Sequence, residues 1–433
     1  MTTLTIQPGR RFSGKMTVPG DKSISHRALL FGALAEGETV VTGFLESEDT
    51  EATAGCLRAM GVRIEMGETV RVHGVGLHGL HAPAKELWTG NSGTTTRLLL
   101  GILAGQPFTA TVRGDDSLAQ RPMDRVAIPL RLMGAAVDGQ GDRCTPPITI
   151  TGGRLRGIAY ATPVASAQVK SALLLAGLYA NGETAVTEPQ HSRDHTERML
   201  RGFGVPVEVD GLTARVHGGG RLAGQHVAVP GDISSAAFFL VAGAIVPGAR
   251  VTVRGVGVNP TRAGILDVLH AMGAKLSIAN ERLEGGEPVA DVTVAHGPLS
   301  ATTLDGSLIP RLIDELPVLA VAAAVAEGTT VIADAKELRV KESDRIATVS
   351  RFLRDMGAEV EEREDGMVIR GGRPLRGTDV ESHGDHRVAM SAAVAALAAG
   401  VENRIHRAEC IATSFPRFTT LLRTLGARCA EGA

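Results

Sequence analysis

Two patterns of apolar and polar positions recur along this chain. The first reads LRAMGVRIE from Leu57, LRLMGAAVD from Leu130, LRGFGVPVEV from Leu200, LHAMGAKLSI from Leu269, LRDMGAEVEE from Leu353 and LRTLGARC from Leu422. Its period of roughly 70 residues is far longer than that of a solenoid. An apolar helical turn, then Gly61, Gly134, Gly204, Gly273, Gly357 or Gly426, then alternating β-branched residues predicts a helix, its C-terminal glycine cap and a strand.

The second pattern precedes the first in every copy: GALAEGETVVTG from Gly32, GILAGQPFTATV from Gly101, AGLYANGETAVT from Ala176, VAGAIVPGARVTV from Val241, VAAAVAEGTTVIA from Val321 and AALAAGVENRI from Ala395. Each is an Ala/Leu-rich helix that stops at or near a glycine before a strand begins. The unit is therefore helix, strand, helix, strand with further β pieces, and its six copies fall into two sets of three, which predicts two lobes. VPGD occurs at Val18–Asp21 and again at Val229–Asp232, each time just before an apolar helix. Read as paired crossing points, these place residues 1–20 with 231–433 in one discontinuous lobe and 21–230 in the other, with a hinge near 18–21 and 229–232. Two unrelated Pro-Gly turns are the alternative.

In every copy the first helix is almost wholly apolar, so it should be buried, yet its opening turn is polar: KSISHR (Lys22), NSGTTTR (Asn91), SAQVK (Ser166), DISSA (Asp232), DELP (Asp314) and GDHR (Gly384). A helix N-terminus offers unpaired N–H donors and a positive dipole end, a natural place for an anion. Helix capping alone accounts for DISSA, and Asp314 and Glu315 fit an ordinary acidic first turn equally well. Lys22, Arg27, Arg97, Lys170 and Arg387 fit capping less well, since a cation at a positive dipole end is unfavourable unless an anion lies between. In RVKESDRI, Lys341 and Arg345 are four apart and would be like-charged neighbours on one helical face, again suggesting a bound anion. QRPMDRV and SRDHTERM add loop arginines. Two electropositive faces across a hinge cleft would take a multiply anionic small ligand and close on it.

Composition narrows the field. The 433 residues are 43% hydrophobic and 21% charged, with 10 Phe, 2 Tyr and 1 Trp and a formal net charge of −2. Few stacking platforms and no bulk basic field argue against nucleic acid and anionic membranes as partners. Four cysteines without C-x-x-C spacing argue against a disulfide framework and a structural metal, and fit a reducing cytoplasm. No apolar signal core opens the chain, and its longest apolar stretches fall short of a membrane span.

PGDKSISHRALL, NSGTTTRLL, DDSLAQRPM, ASAQVKSALLLAGL, SRDHTERML, LIDELPVLAVAAA, RVKESDRI, GDHRVAMS and ATSFPRF occur in this order along nearly the whole chain. Together they resemble the 3-phosphoshikimate 1-carboxyvinyltransferase (5-enolpyruvylshikimate-3-phosphate synthase) family. The resemblance implies an α/β fold of two lobes, each of three βαβαββ repeats around buried helices, an inside-out α/β barrel with an interlobe active-site cleft. It implies shikimate 3-phosphate and phosphoenolpyruvate as substrates, no metal or redox cofactor, no nucleic acid or membrane partner, a cytoplasmic monomer and sensitivity to glyphosate.

Carried over by motif, Lys22, Ser23 and Arg27 bind shikimate, and Lys22 also touches phosphoenolpyruvate. Ser166 and Ala167 line the shikimate phosphate, Arg193 adds to that site, and Gln168 spans both ligands. Lys341 and Asp314 complete the shikimate 3-phosphate set. Gly93, Arg121, Arg345 and Arg387 correspond to the phosphoenolpyruvate site, where a guanidinium fork suits carboxylate and phosphate oxygens. Asp314 serves the 5-hydroxyl and Glu342 the carbon end of an addition–elimination reaction, with Lys22 the third proton carrier. Ala412, Thr413 and Ser414 carry no cation where some members have Lys, and Ala167 replaces a Ser. The rival readings are the related UDP-N-acetylglucosamine transferase, which has Lys-Asn where this chain has Lys22-Ser23, a non-catalytic anion-binding protein on the same scaffold, and an RNA-end cyclase.

Overall fold

All six glycines expected to close helices adopt the left-handed conformation, with φ between 80° and 115°. In each case the next residue donates its N–H back to the leucine that opens the repeated word: Val62 to Leu57, Ala135 to Leu130, Val205 to Leu200, Ala274 to Leu269, Ala358 to Leu353 and Ala427 to Leu422, at 2.9–3.1 Å. That six-to-one bond satisfies a carbonyl left over at the helix end, and only glycine takes the required φ without strain. The arginine in second place has its own use. Arg58, Arg131, Arg201, Arg354 and Arg423 each donate to the backbone carbonyl six residues further on, pinning helix to strand.

The computed structural model describes residues 2–7, 9 and 11–432. One repeat shows the plan: strand Leu87–Trp88, helix Gly93–Leu103, strand Thr109–Arg113, helix Asp124–Met133, then strands Ala136–Gln140 and Thr145–Thr151. Its first strand runs parallel to its second, with Leu87 opposite Val112, and its last strand lies antiparallel between the second and the third. Six such sheets of four or five strands form, three per unit, and in the described residues each is open rather than closed into a barrel.

Four strands complete repeats to which they are not adjacent in sequence, among them Leu222–Ala223, parallel to the start of Ala35–Thr42. Ser13–Met16 lies parallel to Arg250–Gly257, and Thr3–Gln7 sits antiparallel between Asn403–His406 and Arg428–Gly432. His226–Ala228 returns to lie parallel to Ala35–Thr42. The chain divides accordingly into a discontinuous unit, ending first at Pro19 and resumed over Pro230–Leu283 and from Pro288, and a continuous unit, Gly20–Val229. Residues 284–287, the tip of a hairpin, belong to the continuous unit. There Glu287 accepts from or pairs with His195 Nδ1 at 2.8 Å, and Gly286 O accepts from Arg198 at 3.0 Å. No periodicity marks that tip in the sequence.

Six helices form the cores: α1 (Lys22–Leu34), α2 (Gly93–Leu103) and α3 (Ala167–Gly177) in the continuous unit, and α4 (Ile233–Ile245), α5 (Leu316–Val325) and α6 (His386–Ala399) in the discontinuous one. Every residue of α4 is buried. Small residues let these helices approach closely: a Cβ on Gly101 of α2 would lie 2.2 Å from the Ala172 carbonyl oxygen of α3. Burying helices that are apolar on all sides forces their chemistry to their ends. No helix among the described residues is long and apolar enough to cross a membrane.

Candidate active site

Five of the six buried helices are capped by a polar side chain that accepts from first-turn amides: Asp21, Ser92, Ser166, Asp232 and Asp385. Lys22, Ser23, Gly93, Ala167, Gln168 and Arg387, among the expected site residues, stand in the first turns beyond these caps.

In the continuous unit, Arg27 lies on α1 and is 2% exposed. Its Nε donates to Thr196 Oγ1 at 2.7 Å, Nη2 to Ser171 Oγ at 2.7 Å and Nη1 to the Ser23 carbonyl at 2.9 Å. Burial brings its pKa down to about 10, opposed by Glu197 and Asp21 and assisted by Arg193, so the group stays charged at neutral pH. Arg193 donates to Ser23 Oγ at 3.4 Å. Lys22, Ser23, Arg27 and Arg193 are thus gathered at one place, beside the Ser166 cap of α3. Lys22 forms an ion pair with Asp49, a buried acid in the first turn of the helix Glu48–Ala59. His26 sits behind them, with Nδ1 2.8 Å from Thr53 Oγ1. Burial first, then Lys22 and Arg27, push its pKa well below 6.5 and keep it neutral.

The second half of this cluster joins α2 to α3. Arg97 donates to Gln168 Oε1 at 2.8 Å and to the Pro122 carbonyl at 3.2 Å, and Gln168 Nε2 donates to Thr94 Oγ1 at 2.8 Å. Arg121 donates to Asn91 Oδ1 at 2.6 Å, and Asn91 to Asp115 at 2.8 Å. Gly93 is where both arginines meet the backbone, since a Cβ there would lie 2.7 Å from Arg97 Nη1 and 3.3 Å from Arg121 Nη1.

In the discontinuous unit, Arg345 is the centre and is 1% exposed. Its Nε donates to Asp385 at 2.8 Å, Nη2 to Glu342 at 2.5 Å and to Asp385 at 3.2 Å, and Nη1 to Asp314 at 3.4 Å. Burial alone would weaken its charge, but Asp385, Glu342 and Asp314 outweigh that and raise its pKa. The same contest has the opposite sign at Asp385, where burial raises the carboxyl and Arg345 more than offsets it. Asp314 Oδ1 stands 3.4 Å from Arg345, 3.8 Å from Lys341 and 3.9 Å from Arg387, and Arg387 donates to the Asp314 carbonyl at 3.1 Å. All five residues expected in this unit therefore share one cluster, with His386 held 3.3 Å from Thr413 at its edge.

Three expectations need correcting. Lys170 does not wait for a ligand, because Glu188 and Glu197 lie 2.7 and 2.8 Å from its Nζ in the protein interior. Lys341 and Arg345 do not share a helical face: the helix begins at Arg345 and Lys341 lies outside it. The discontinuous cluster is not a bare electropositive face, since Lys341, Arg345 and Arg387 are matched by Asp314, Glu342 and Asp385. Sequence reasoning passed over Asp49 and Arg262, and took Glu315 only as a possible first-turn acid. Arg262 donates to both Glu315 oxygens at 2.9–3.0 Å, which anchors the residue next to Asp314. Nothing local distinguishes Asp49 from an ordinary first-turn acid.

A family model described as EPSP synthase (3-phosphoshikimate 1-carboxyvinyltransferase) matches residues 6–422. The chain is 57% identical over 423 residues to the 3-phosphoshikimate 1-carboxyvinyltransferase of Desulforamulus reducens, covering 97% of this chain and 98% of that one. Its identity to the protein of the same name from Gloeobacter violaceus is 58% over 417 residues, 96% of each chain. Among solved structures, EPSP synthase from Acinetobacter baumannii superposes with a TM-score of 0.89 at 51% identity over the whole of both chains. The enolpyruvyl transferase NikO from Streptomyces tendae, 19% identical, shares the fold with a TM-score of 0.81 over 100% of this chain and 99% of that one.

Proposed function

This chain belongs to the EPSP synthase (3-phosphoshikimate 1-carboxyvinyltransferase) family, transferases of the shikimate pathway, and we propose that its two polar clusters serve one reaction, the transfer of the enolpyruvyl group of phosphoenolpyruvate to the 5-hydroxyl of shikimate 3-phosphate. In this reading Ser23 and Arg27 hold the shikimate ring. Ser166, the α3 amides at Ala167 and Arg193 take its phosphate, and Lys341 adds to that ligand's site. Gly93, Arg121, Arg345 and Arg387 take phosphoenolpyruvate, while Lys22 and Gln168 serve both ligands.

The observation that carries the reading is the pair of carboxylates, Asp314 and Glu342, held on the two Nη atoms of one buried arginine. Sharing Arg345 fixes two acids in fixed relation, which is what a reaction that removes one proton and adds another requires. The 5-hydroxyl oxygen forms a bond to C2 of phosphoenolpyruvate as its proton passes to Asp314, and C3 takes a proton from Glu342, which enters the step as the acid and leaves it as the carboxylate that Arg345 holds. The resulting ketal then returns a proton from C3 to Glu342 and expels phosphate, which leaves with the proton that Asp314 took, restoring the C2–C3 double bond. Lys341, Arg345 and Arg387 surround Asp314 Oδ1 at 3.8, 3.4 and 3.9 Å and hold that carboxylate in place.

Four free thiols fit a reducing cytoplasm. Burial pushes Cys56 and Cys410 up to about 12, which leaves them inert. The reading extends to a cytoplasmic monomer. Release of phosphate that requires both substrates tests it directly, and release with phosphoenolpyruvate and UDP-N-acetylglucosamine but not with shikimate 3-phosphate would overturn it.

A further inference from the structure

Glu188 follows the strand Glu183–Thr187 and is 3% exposed. Its carboxylate joins three pieces of chain. Oε1 accepts from the Ser166 amide at 3.1 Å and the Ser192 hydroxyl at 2.6 Å, and Oε2 accepts from the Ser192 amide at 3.4 Å and lies 2.7 Å from Lys170 Nζ. Ser166 is the cap of α3, and Ser192 immediately precedes Arg193. One buried side chain therefore fixes both segments to which the proposed function assigns the shikimate phosphate.

A carboxylate near an anion site is unfavourable in itself, since like charges repel. Here its roughly four acceptor directions are all taken by donors, which no other side chain of that size can match. Glutamine in its place would turn its N–H₂ donor either toward the Ser166 amide and the Ser192 hydroxyl or toward the Ser192 amide and the Lys170 ammonium. Lys170 is no counter-argument, because Glu197 also neutralises it at 2.8 Å. Burial tends to lower the lysine's pKa, but Glu197 and Glu188 outweigh it and the net shift is upward.

We infer that Glu188 is a positioning residue for recognition of the substrate's phosphate: it sets the spacing between the N-terminus of α3 and Arg193 without touching the ligand. This rests on the assignment of Ser166 and Arg193 to that phosphate, and the test separates the two. Dissociation constants for shikimate 3-phosphate and for unphosphorylated shikimate are measured by calorimetry in wild type, E188Q and R193A, with the KM for phosphoenolpyruvate and the melting temperature recorded alongside.

In E188Q we expect binding of shikimate 3-phosphate to weaken roughly tenfold, the effect of losing about one charge-assisted hydrogen bond. Shikimate binding and the phosphoenolpyruvate KM should stay within about twofold, and exchange of the Ser166 and Ser192 amides should accelerate. If E188Q does not fold, E188D carries the test, because it keeps the charge beside Lys170 but is too short to hold both serines. A loss of phosphate preference in R193A but not in the folded Glu188 variant would overturn the positioning role. Equal weakening of both ligands in that variant would do the same. Unchanged preference in R193A would instead show that the phosphate assignment itself is wrong.

Discussion

Gly93→Ala places a methyl group at the one point where two arginines close on the backbone. The added Cβ would stand 2.7 Å from Arg97 Nη1 and 3.3 Å from Arg121 Nη1. Ordinary contact needs about 3.4 Å or more, so the Arg97 tip must retreat by about 0.7 Å and Arg121 by a few tenths. Both atoms are ends of flexible side chains, so the fold accommodates the change and the burden falls on the hydrogen bonds. A retreat of that size takes the 2.8 Å bond from Arg97 to Gln168 out of range or nearly so. Half to all of a net hydrogen-bond contribution is then lost, about 1 kcal/mol, which is roughly five- to tenfold in the KM for phosphoenolpyruvate. Turnover at saturation should change by less than about threefold, because neither Asp314 nor Glu342 is disturbed.

Steady-state phosphate release with shikimate 3-phosphate saturating and phosphoenolpyruvate varied gives the KM, and repeating it with glyphosate gives the inhibition constant. The wild type should be inhibited competitively with phosphoenolpyruvate, and the inhibition constant should rise more than KM in the variant, because a steric intrusion discriminates by shape. An unchanged KM would refute the displacement of Arg97. Equal factors in the two constants, or a wild type insensitive at millimolar inhibitor, would refute discrimination at Gly93.

Asp314→Ala should lower turnover by about 10² or more while leaving shikimate 3-phosphate binding largely intact, as single-turnover kinetics and calorimetry would show; near-normal turnover would remove it from the mechanism. Arg27→Ala should weaken shikimate and shikimate 3-phosphate alike, by about tenfold or more, because it removes the guanidinium assigned to the ring and releases Thr196, Ser171 and the Ser23 carbonyl, which it holds around that place, and a normal shikimate affinity would refute its role. His26 is neutral in the fold and its pKa lies below 6.5, so the stability it contributes is present above pH 6.5 and is lost as pH falls toward the folded value. His26→Asn, which can keep the bond to Thr53, should therefore flatten the decline of melting temperature between neutral pH and pH 5, and an unaltered slope would show that His26 titrates alike in both states.

The six repeats, their glycine caps and their polar helix openings were legible in the sequence because each is a local property. A leucine, three residues and a positive-φ glycine make the same six-to-one bond wherever they occur. Asp21, Ser92, Ser166, Asp232 and Asp385 cap helices through amides two or three residues away. The motif residues likewise announced themselves as polar groups where an apolar helix begins. Tertiary structure decided which charge meets which. Lys22 finds Asp49, Lys170 finds Glu188 and Glu197, and Arg345 finds Asp385 forty residues on. It also decided that the N-terminal strands complete two different sheets and that residues 284–287 join the continuous unit. A cation's partner is set by which chain segments burial brings within a few ångströms, and the strength of the pairing by the water excluded around it. Neither quantity is carried by neighbours in sequence, so the sequence by itself identifies the charged residues at the site but not which carboxylate neutralises or positions which cation.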